Sequence, residues 1–476
     1  MSKKYVIGID EGSQSAKITV FDLEGNIVCE GREGLKPYNL PGPDLVEHPN
    51  DDWWDAICKA SQKCMAEFKG NKEDILAIGL CTIRYCRDYL KADGQLAQPA
   101  LSWMDIRVSK PYEHTNPEVA YITASSGYIT HRLTNERKDS VAIYEGVWPI
   151  DIDHWKWSDD PKAYEKVGMP RKMLFDLVMP GEILGNVTKE ASSATGLPVG
   201  VAVVATSNDK AVEGLGTGCR GDHRACISLG TYTAAMMEGK ENLKNTTAVW
   251  PKFSCVPNKY LYDSNGIRRG MWTVSWFRDI LGEGYERLAK EQGMSAEELL
   301  GKEAEQVPPG CDGLMTVLDW LAPVDALYKK GTMIGFDGRH TRAHIYRSIL
   351  EAVALTMKKH VDDMTAELNT TLDEIIITGG GSNSDLFMQI FADVFGIKAV
   401  RNVVNGAAGL GSAICAAVAA GAYDSFDCAV DRMVKVKDEF TPNSQNVEFY
   451  KKMIAVYSQI TDYTEGILKK SYELFQ

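Results

Sequence analysis

The chain has 476 residues, too many for one ordinary hydrophobic core, so two domains are expected. Hydrophobic residues at 44% and charged residues at 25% are those of a globular protein. A formal net charge of -13 argues against the basic face that nucleic acid needs, and no stretch reaches the roughly 18 apolar residues of a membrane span, so neither partner is expected. MSKK runs straight into a strand-like YVIGID, which does not read as a signal peptide. The eleven cysteines are scattered and form no C-x-x-C. They fit packing roles in a reducing cytosol, not a disulfide framework or a zinc site, and a cytoplasmic location is expected.

Residues 5–9 read as a strand, DEGSQS as a turn, AKITVFD as a second strand and NIVCEGRE as a third, a β-meander. Residues 50–68 suit an amphipathic helix that Asn50 or Asp51 can cap. ILAIGL at 75–80 is a strand. From 109 to 197 the pattern is less regular, with a helical ASSGYITHRLTN and an aromatic, loop-like GVWPIDIDHWKWS. A β-branched run at 201–204 is a buried strand, followed by Asp209 and a short helix that decays into glycines. ACISLGTYTAAMM reads as strand, Gly-Thr turn, strand. The polar EGKENLKNTT at 238–247 is a plausible boundary, dividing the chain into 1–245 and 246–476. Helices are expected at 267–281 and 295–300, and a strand at 314–318. A long amphipathic helix follows at 341–368, then a strand at 375–378, a helix at 384–395 with Gly396 as its left-handed cap, and an Ala-rich helix at 409–420. The pattern strand, Gly-Ser or Gly-Thr turn, strand occurs once in each half and hints at a duplicated fold.

Three turns have the character of phosphate sites. In IDEGS, a tight turn presents consecutive N–H groups, Ser13 and Ser15 add hydroxyls, Lys17 adds a charge, and Asp10 could hold Mg²⁺. SLGTY at 228–232 is similar, and TGGGSN at 378–383 lets a ligand approach the backbone closely. As ordinary hairpins or a strained turn, the same residues need no ligand. Asp209, just beyond a strand end, lies where open α/β sheets bind ligands and could take a proton from a substrate hydroxyl. Equally, it could be a first-turn residue held by helix N–H groups. GTGCRG at 216–221 matches a dinucleotide fingerprint but follows a helix instead of a strand. His340 and His344 lack the H-E-x-x-H pattern and are expected on a helix surface or in a core. No P-loop and no G-x-S-x-G occur. Together, the turns and the carboxylate point to ATP-dependent phosphoryl transfer without a P-loop.

The order of these motifs resembles the FGGY carbohydrate kinases, the family of glycerol kinase, xylulokinase and ribulokinase. GIDEGSQSAKITVFDLEG is similar to its first phosphate motif, GLCTIRYCRDYLKADG with PALSWMDIR to its sugar-pocket segment, and GLPVGVAVVATSNDKAVEGLGTG to the segment with its catalytic aspartate. ISLGTY and the block from GFDGRHTRAHIYRSILEAVA to AAGLGSAICAAVAAG extend the match over roughly residues 4 to 425. The resemblance implies an α/β fold of two actin-like (ribonuclease H-like) domains with an interdomain active-site cleft. The first domain would carry the sugar pocket and the second the nucleotide site. It implies ATP and Mg²⁺ as cofactors and a small sugar or polyol, such as xylulose or ribulose, as substrate. Asp209 would be the general base and Asp10 would lie near the metal. Arg84, Trp103 and Asp105 would hold the substrate with Asp209, while Gly12, Ser13, Lys17, Gly230, Thr231, Gly379, Gly380, Gly381 and Asn383 would face the nucleotide. A homodimer stays open.

Departures cluster at the sugar end. Ser207-Asn208 stands where the family has Gly-Gly, Lys210 where Gln or Asn is common, and Ile83-Arg84-Tyr85 replaces Gln-Met-His or Gln-Arg-Glu. Asp319-Trp320-Leu321-Ala322 stands for the usual Ser-Gly-Glu-Arg, and the chain is short between Arg107 and Asn116. They leave two alternatives: an actin-like sensor that has lost catalysis, and a sugar-independent ATPase.

Overall fold

The structure is a computed structural model that describes residues 4–323 and 326–475. The expected meander is present as β1 (Tyr5–Glu11), β2 (Ser15–Asp22) and β3 (Ile27–Gly34), with Gly12 N–H donating to Ser15 O at 3.1 Å to close the first turn. β4 (Ile75–Thr82), β5 (Ile183–Asn186) and β6 (Ala202–Asn208) complete a six-stranded sheet of order β5-β6-β4-β1-β2-β3. β1, β4 and β6 run parallel, so their C-terminal ends, carrying Glu11, Thr82 and Asn208, meet at one edge. Helix α1 (Asp52–Glu67) buries Trp53, Ile57, Ala60 and Cys64 against this sheet. Helix α2 (Ser125–Thr134) ends in Asn135 in the left-handed conformation, and α3 (Asp209–Thr217) leaves β6 directly.

The second sheet repeats the plan. β7 (Arg224–Leu229), β8 (Thr233–Gly239), β9 (Val249–Phe253), β10 (Tyr260–Ser264), β11 (Glu374–Thr378), β12 (Lys398–Asn402) and β13 (Val436–Phe440) are ordered β9-β10-β8-β7-β11-β12-β13. This sheet begins at Arg224, because β7 pairs in parallel with β11. The polar stretch 238–247, expected to separate domains at 245/246, instead joins β8 to β9 within one sheet. The long helix α4 (Arg342–Glu367) and α5 (Asp385–Phe395), capped by Gly396 at φ 68°, cover the sheet, and α6 (Ala407–Ala419) follows. The last two helices span Ser444–Tyr457 and Ile460–Leu474.

Helix α6 ties the halves together. It packs on β1, β4 and α3. A Cβ on Gly8 would lie 1.9 Å from Gly409 O, one on Gly79 1.9 Å from Ser412 O, and one on Gly216 1.9 Å from Ala407 O. Backbones this close admit only glycine, which explains the Ala- and Gly-rich sequence of both helices. Among the described residues, no helix is long and apolar enough to cross a membrane. All eleven cysteines are free thiols.

Candidate active site

Strand β6 delivers Asp209 to the first residue of α3, and its neighbours decide how free it is. The helix is capped by Asn208, whose Oδ1 accepts from the N–H groups of Lys210 and Ala211, each at 3.1 Å. Asn208 thus takes the capping role, and the buried Oδ1 of Asp209 has no hydrogen-bond partner among the described residues. The substitutions beside Asp209 all have structural partners. Ser207 Oγ donates to Ala142 O at 3.1 Å, and Asn208 Nδ2 donates to Glu145 Oε1 at 3.0 Å. Lys210 Nζ reaches Glu213 Oε2 and Ser228 Oγ, both at 2.8 Å, linking α3 to the SLGTY turn.

Arg84 lies beside Asp209, with Nε 4.0 Å from Asp209 Oδ1. Its Nη1 donates to Asp263 Oδ2 at 2.8 Å and is 3.9 Å from Glu145 Oε2. Burial works to lower the Arg84 pKa, but Asp263, Glu145 and Asp209 outweigh it and keep the guanidinium charged. Tyr85 follows in the left-handed region, at φ 64°, an unfavourable conformation for an aromatic residue that this crowded corner imposes. Lys252 lies 5.6 Å from the Tyr85 ring centre. Because Asp263 and Lys252 come from β10 and β9, both sheets contribute to this end of the cleft.

The other two expected pocket residues behave differently. Trp103 is half exposed. Asp105 is buried and its carboxylate is saturated: Oδ1 accepts from Arg107 N–H and Nε at 2.8 and 2.9 Å, and Oδ2 from Val46 N–H and Arg107 Nη2, each at 2.7 Å. It is fully used in holding the loop at 105–109, which leaves it no lone pair directed at a substrate. The shortened stretch after Arg107 is organised by buried Arg87, which donates to the carbonyls of Arg107, Val108, Lys110 and Val147 at 3.0–3.3 Å.

At the opposite end, the glycine turns come together. Gly379 has φ 86°, and a Cβ there would lie 2.6 Å from Leu229 O, so the TGGGSN turn lies directly on the SLGTY turn. Asn405 fastens it: its Oδ1 accepts from Gly379 N–H at 2.9 Å and Ser382 Oγ at 3.2 Å, and its Nδ2 donates to Asn383 Oδ1 at 3.2 Å. Gly380, Asn383 and Thr231 are exposed and Gly230 is partly so, leaving their backbones accessible. Lys17 stands across the strand pair from Asp10 and is 3.0 Å from Glu30. A Cβ on Gly406 would come within 3.1 Å of Lys17 Nζ. Gly12 and Ser13 are partly buried in the hairpin turn.

Asp10 sits between the two ends. Burial raises its pKa to about 6, with Asp209 and Glu213 adding to the shift and Lys17 and Lys210 opposing it. A carboxylate destabilised by neighbouring carboxylates fits a hard divalent cation, which would restore the charge balance. No group of three His, Cys, Asp or Glu among the described residues forms a metal cage. His340, in the loop before α4, accepts from Asp337 N–H at 2.8 Å, and His344, in the first turn of α4, has Nδ1 3.2 Å from Thr341 N.

Sequence and structure comparisons show the family and the fold. The descriptions "FGGY family of carbohydrate kinases, N-terminal domain" and "C-terminal domain" match residues 5–119 and 225–420. The chain is 55% identical over its whole length, and over 96% of the relative, to "Uncharacterized sugar kinase YgcE" of Escherichia coli (strain K12). It is 24% identical to "Autoinducer-2 kinase" of Enterobacter sp. (strain 638), covering 96% of this chain and 94% of that one. The fold is also that of the xylulose kinase from Rhodospirillum rubrum, with a TM-score of 0.81 at 22% identity, covering 98% of this chain and 100% of that one. The two-sheet, two-domain fold is the actin-like one. The chain belongs to the FGGY family of carbohydrate kinases and is an ATP-dependent kinase of that class.

Proposed function

We propose that the enzyme transfers the γ-phosphate of ATP to a hydroxyl of a small sugar or polyol, with Asp209 as general base. The observation that carries this reading is the buried, unpartnered Oδ1 of Asp209, freed from helix capping by Asn208 and set beside Arg84. Asp209 accepts or orients the proton of the attacking hydroxyl, with the Arg84 guanidinium standing beside its carboxylate. Lys210, tied to Ser228, fixes the distance from Asp209 to the SLGTY turn. The turns at Gly12–Ser13, Gly230–Thr231 and Gly379–Asn383 let the phosphates and nucleotide approach the backbone closely, with the Gly12 and Gly379 N–H groups used within the protein to hold the turns, and Lys17 offsets the negative charge. Asp10 would hold Mg²⁺, which when bound neutralises phosphate charge and orients the transferred group. The Arg84–Asp263 ion pair joins the two sides of the cleft and helps exclude water from the reacting atoms.

Relatives and structural neighbours include a "Xylulose kinase" of Bacillus subtilis, a gluconate kinase and a glycerol kinase with ADP, which supports a search among ketopentoses, polyols and sugar acids. A sensor without catalysis gains no support, since Asp10 and Asp209 are both in place. Coupled ADP release, with and without each candidate, tests the reading and also separates it from a sugar-independent ATPase. Asp209→Asn is expected to lower kcat by about 10³-fold with ADP affinity retained. Near-normal turnover in that variant overturns the assignment.

A further inference from the structure

Three carboxylates from three separate elements converge on Arg84, and each has an oxygen without a donor. Glu145 follows the helical turn 141–143 and is only 3% exposed. Its Oε1 is taken by Asn208, and its buried Oε2 accepts no hydrogen bond within 3.5 Å, although the Tyr85 hydroxyl stands near the carboxylate. Asp263, on β10, gives Oδ2 to Arg84 and leaves Oδ1 buried and unpartnered. Asp209 leaves Oδ1 in the same state. Buried acceptors without donors are rare in folded proteins because each forfeits hydration without replacement. Three around one cation point to a ligand that brings the donors.

Charge sets the class of that ligand. Glu145, Asp209 and Asp263 face Arg84 and Lys252, and Lys210 beside Asp209 is paired with Glu213, so acid outnumbers base around the pocket. The Arg84 guanidinium, surrounded by all three acids, is not a free anion site. A hydroxyl supplies an O–H to an unpartnered oxygen at no charge cost. A sugar carboxylate or phosphate supplies none and brings a like charge into a region of low dielectric.

We propose that Glu145 and Asp263 are specificity residues that accept hydrogen bonds from substrate hydroxyls, and that they select uncharged polyhydroxylated substrates against sugar acids. This rests on the kinase reading above for which reaction follows, but selection by charge can be measured on binding alone. Calorimetry on the full-length enzyme with ADP present would compare matched pairs: xylitol with xylonate, glucitol with gluconate, and D-xylulose and L-ribulose with ribonate. ADP release would be followed in parallel. At least one neutral member is expected to bind about tenfold or more tightly than its acid counterpart. Glu145→Gln keeps the bond from Asn208 but turns the free acceptor into a donor, and Asp263→Asn does the same beside Arg84. Each should raise KM for the neutral substrate about tenfold, leave ADP affinity unchanged, and narrow the neutral-to-acid ratio. Unchanged ADP affinity shows that the variants fold. An acid that binds as tightly as its neutral partner, no binding by any neutral member, or an unaltered ratio in both variants overturns the proposal. Selective neutral binding without ADP release would sustain it while overturning the kinase reading.

Discussion

The end of the cleft proposed for the nucleotide is built of glycine turns: Gly230, Gly379 and Gly380 lie on turns pressed together so closely that a Cβ on Gly379 would strike Leu229 O at 2.6 Å. The end proposed for the sugar is built of charged side chains, Arg84, Glu145, Asp209 and Asp263, packed within a few ångströms. Phosphates are alike in every ATP, and peptide N–H groups suffice for them. Distinguishing one polyol from another requires side chains of particular length and charge, and that end is where the chain departs from its family. A backbone site tolerates exchange of side-chain chemistry but not added bulk, whereas a side-chain site shows the reverse.

Substitutions can break that contrast or sharpen it. The largest effect on stability is expected from Arg87→Ala, which strips the donors from four carbonyls of the sugar-end loops. It should cost about 3–4 kcal/mol, read as a lower urea midpoint with an unchanged slope. Gly379→Ala should cost about 1–3 kcal/mol and raise KM for ATP about tenfold, with KM for the sugar within about twofold. An equal effect on both substrates would show that the two ends are not separately built.

The smallest effect comes from Asp10, between the two ends. The folded-state pKa of Asp10 is about 6, above the ordinary 3.8, so its contribution to stability is fully present below pH 3.8 and is lost as pH rises through about 6. Asp10→Asn should therefore stabilise the ligand-free protein above pH 6, by about 1–2 kcal/mol, while reducing turnover. A lower melting temperature at pH 8 would count against strain at Asp10.

The sequence carries most of the fold in its periodicity: the meander, α1, α4 and α5 are long or alternate cleanly, and Gly396 caps where expected. Strands β5, β12 and β13 are only four or five residues long and leave little periodic signal. The three glycine turns were legible because glycine before a helix or between strands has few other uses. Glu145, Asp263 and Asn405 were not, since each is a lone polar residue whose partner lies far away in the chain. Asp105 shows the opposite failure. Its W-x-D setting suggested a ligand, while its donors, Val46 and Arg107, emerge only in the folded structure.

Helix α6 limits how the chain can be divided. It belongs to the second half in sequence, yet it roofs β1 and β4 of the first, with Gly8 and Gly79 as the floor it rests on. A polypeptide ending near residue 222 would lack that roof and expose Val6, Ala77 and Val204, which α6 helps to bury. The two halves are similar in plan but are not separable modules. Fusions, domain exchanges and split reporters built on this scaffold must keep residues 407–419 with the first half.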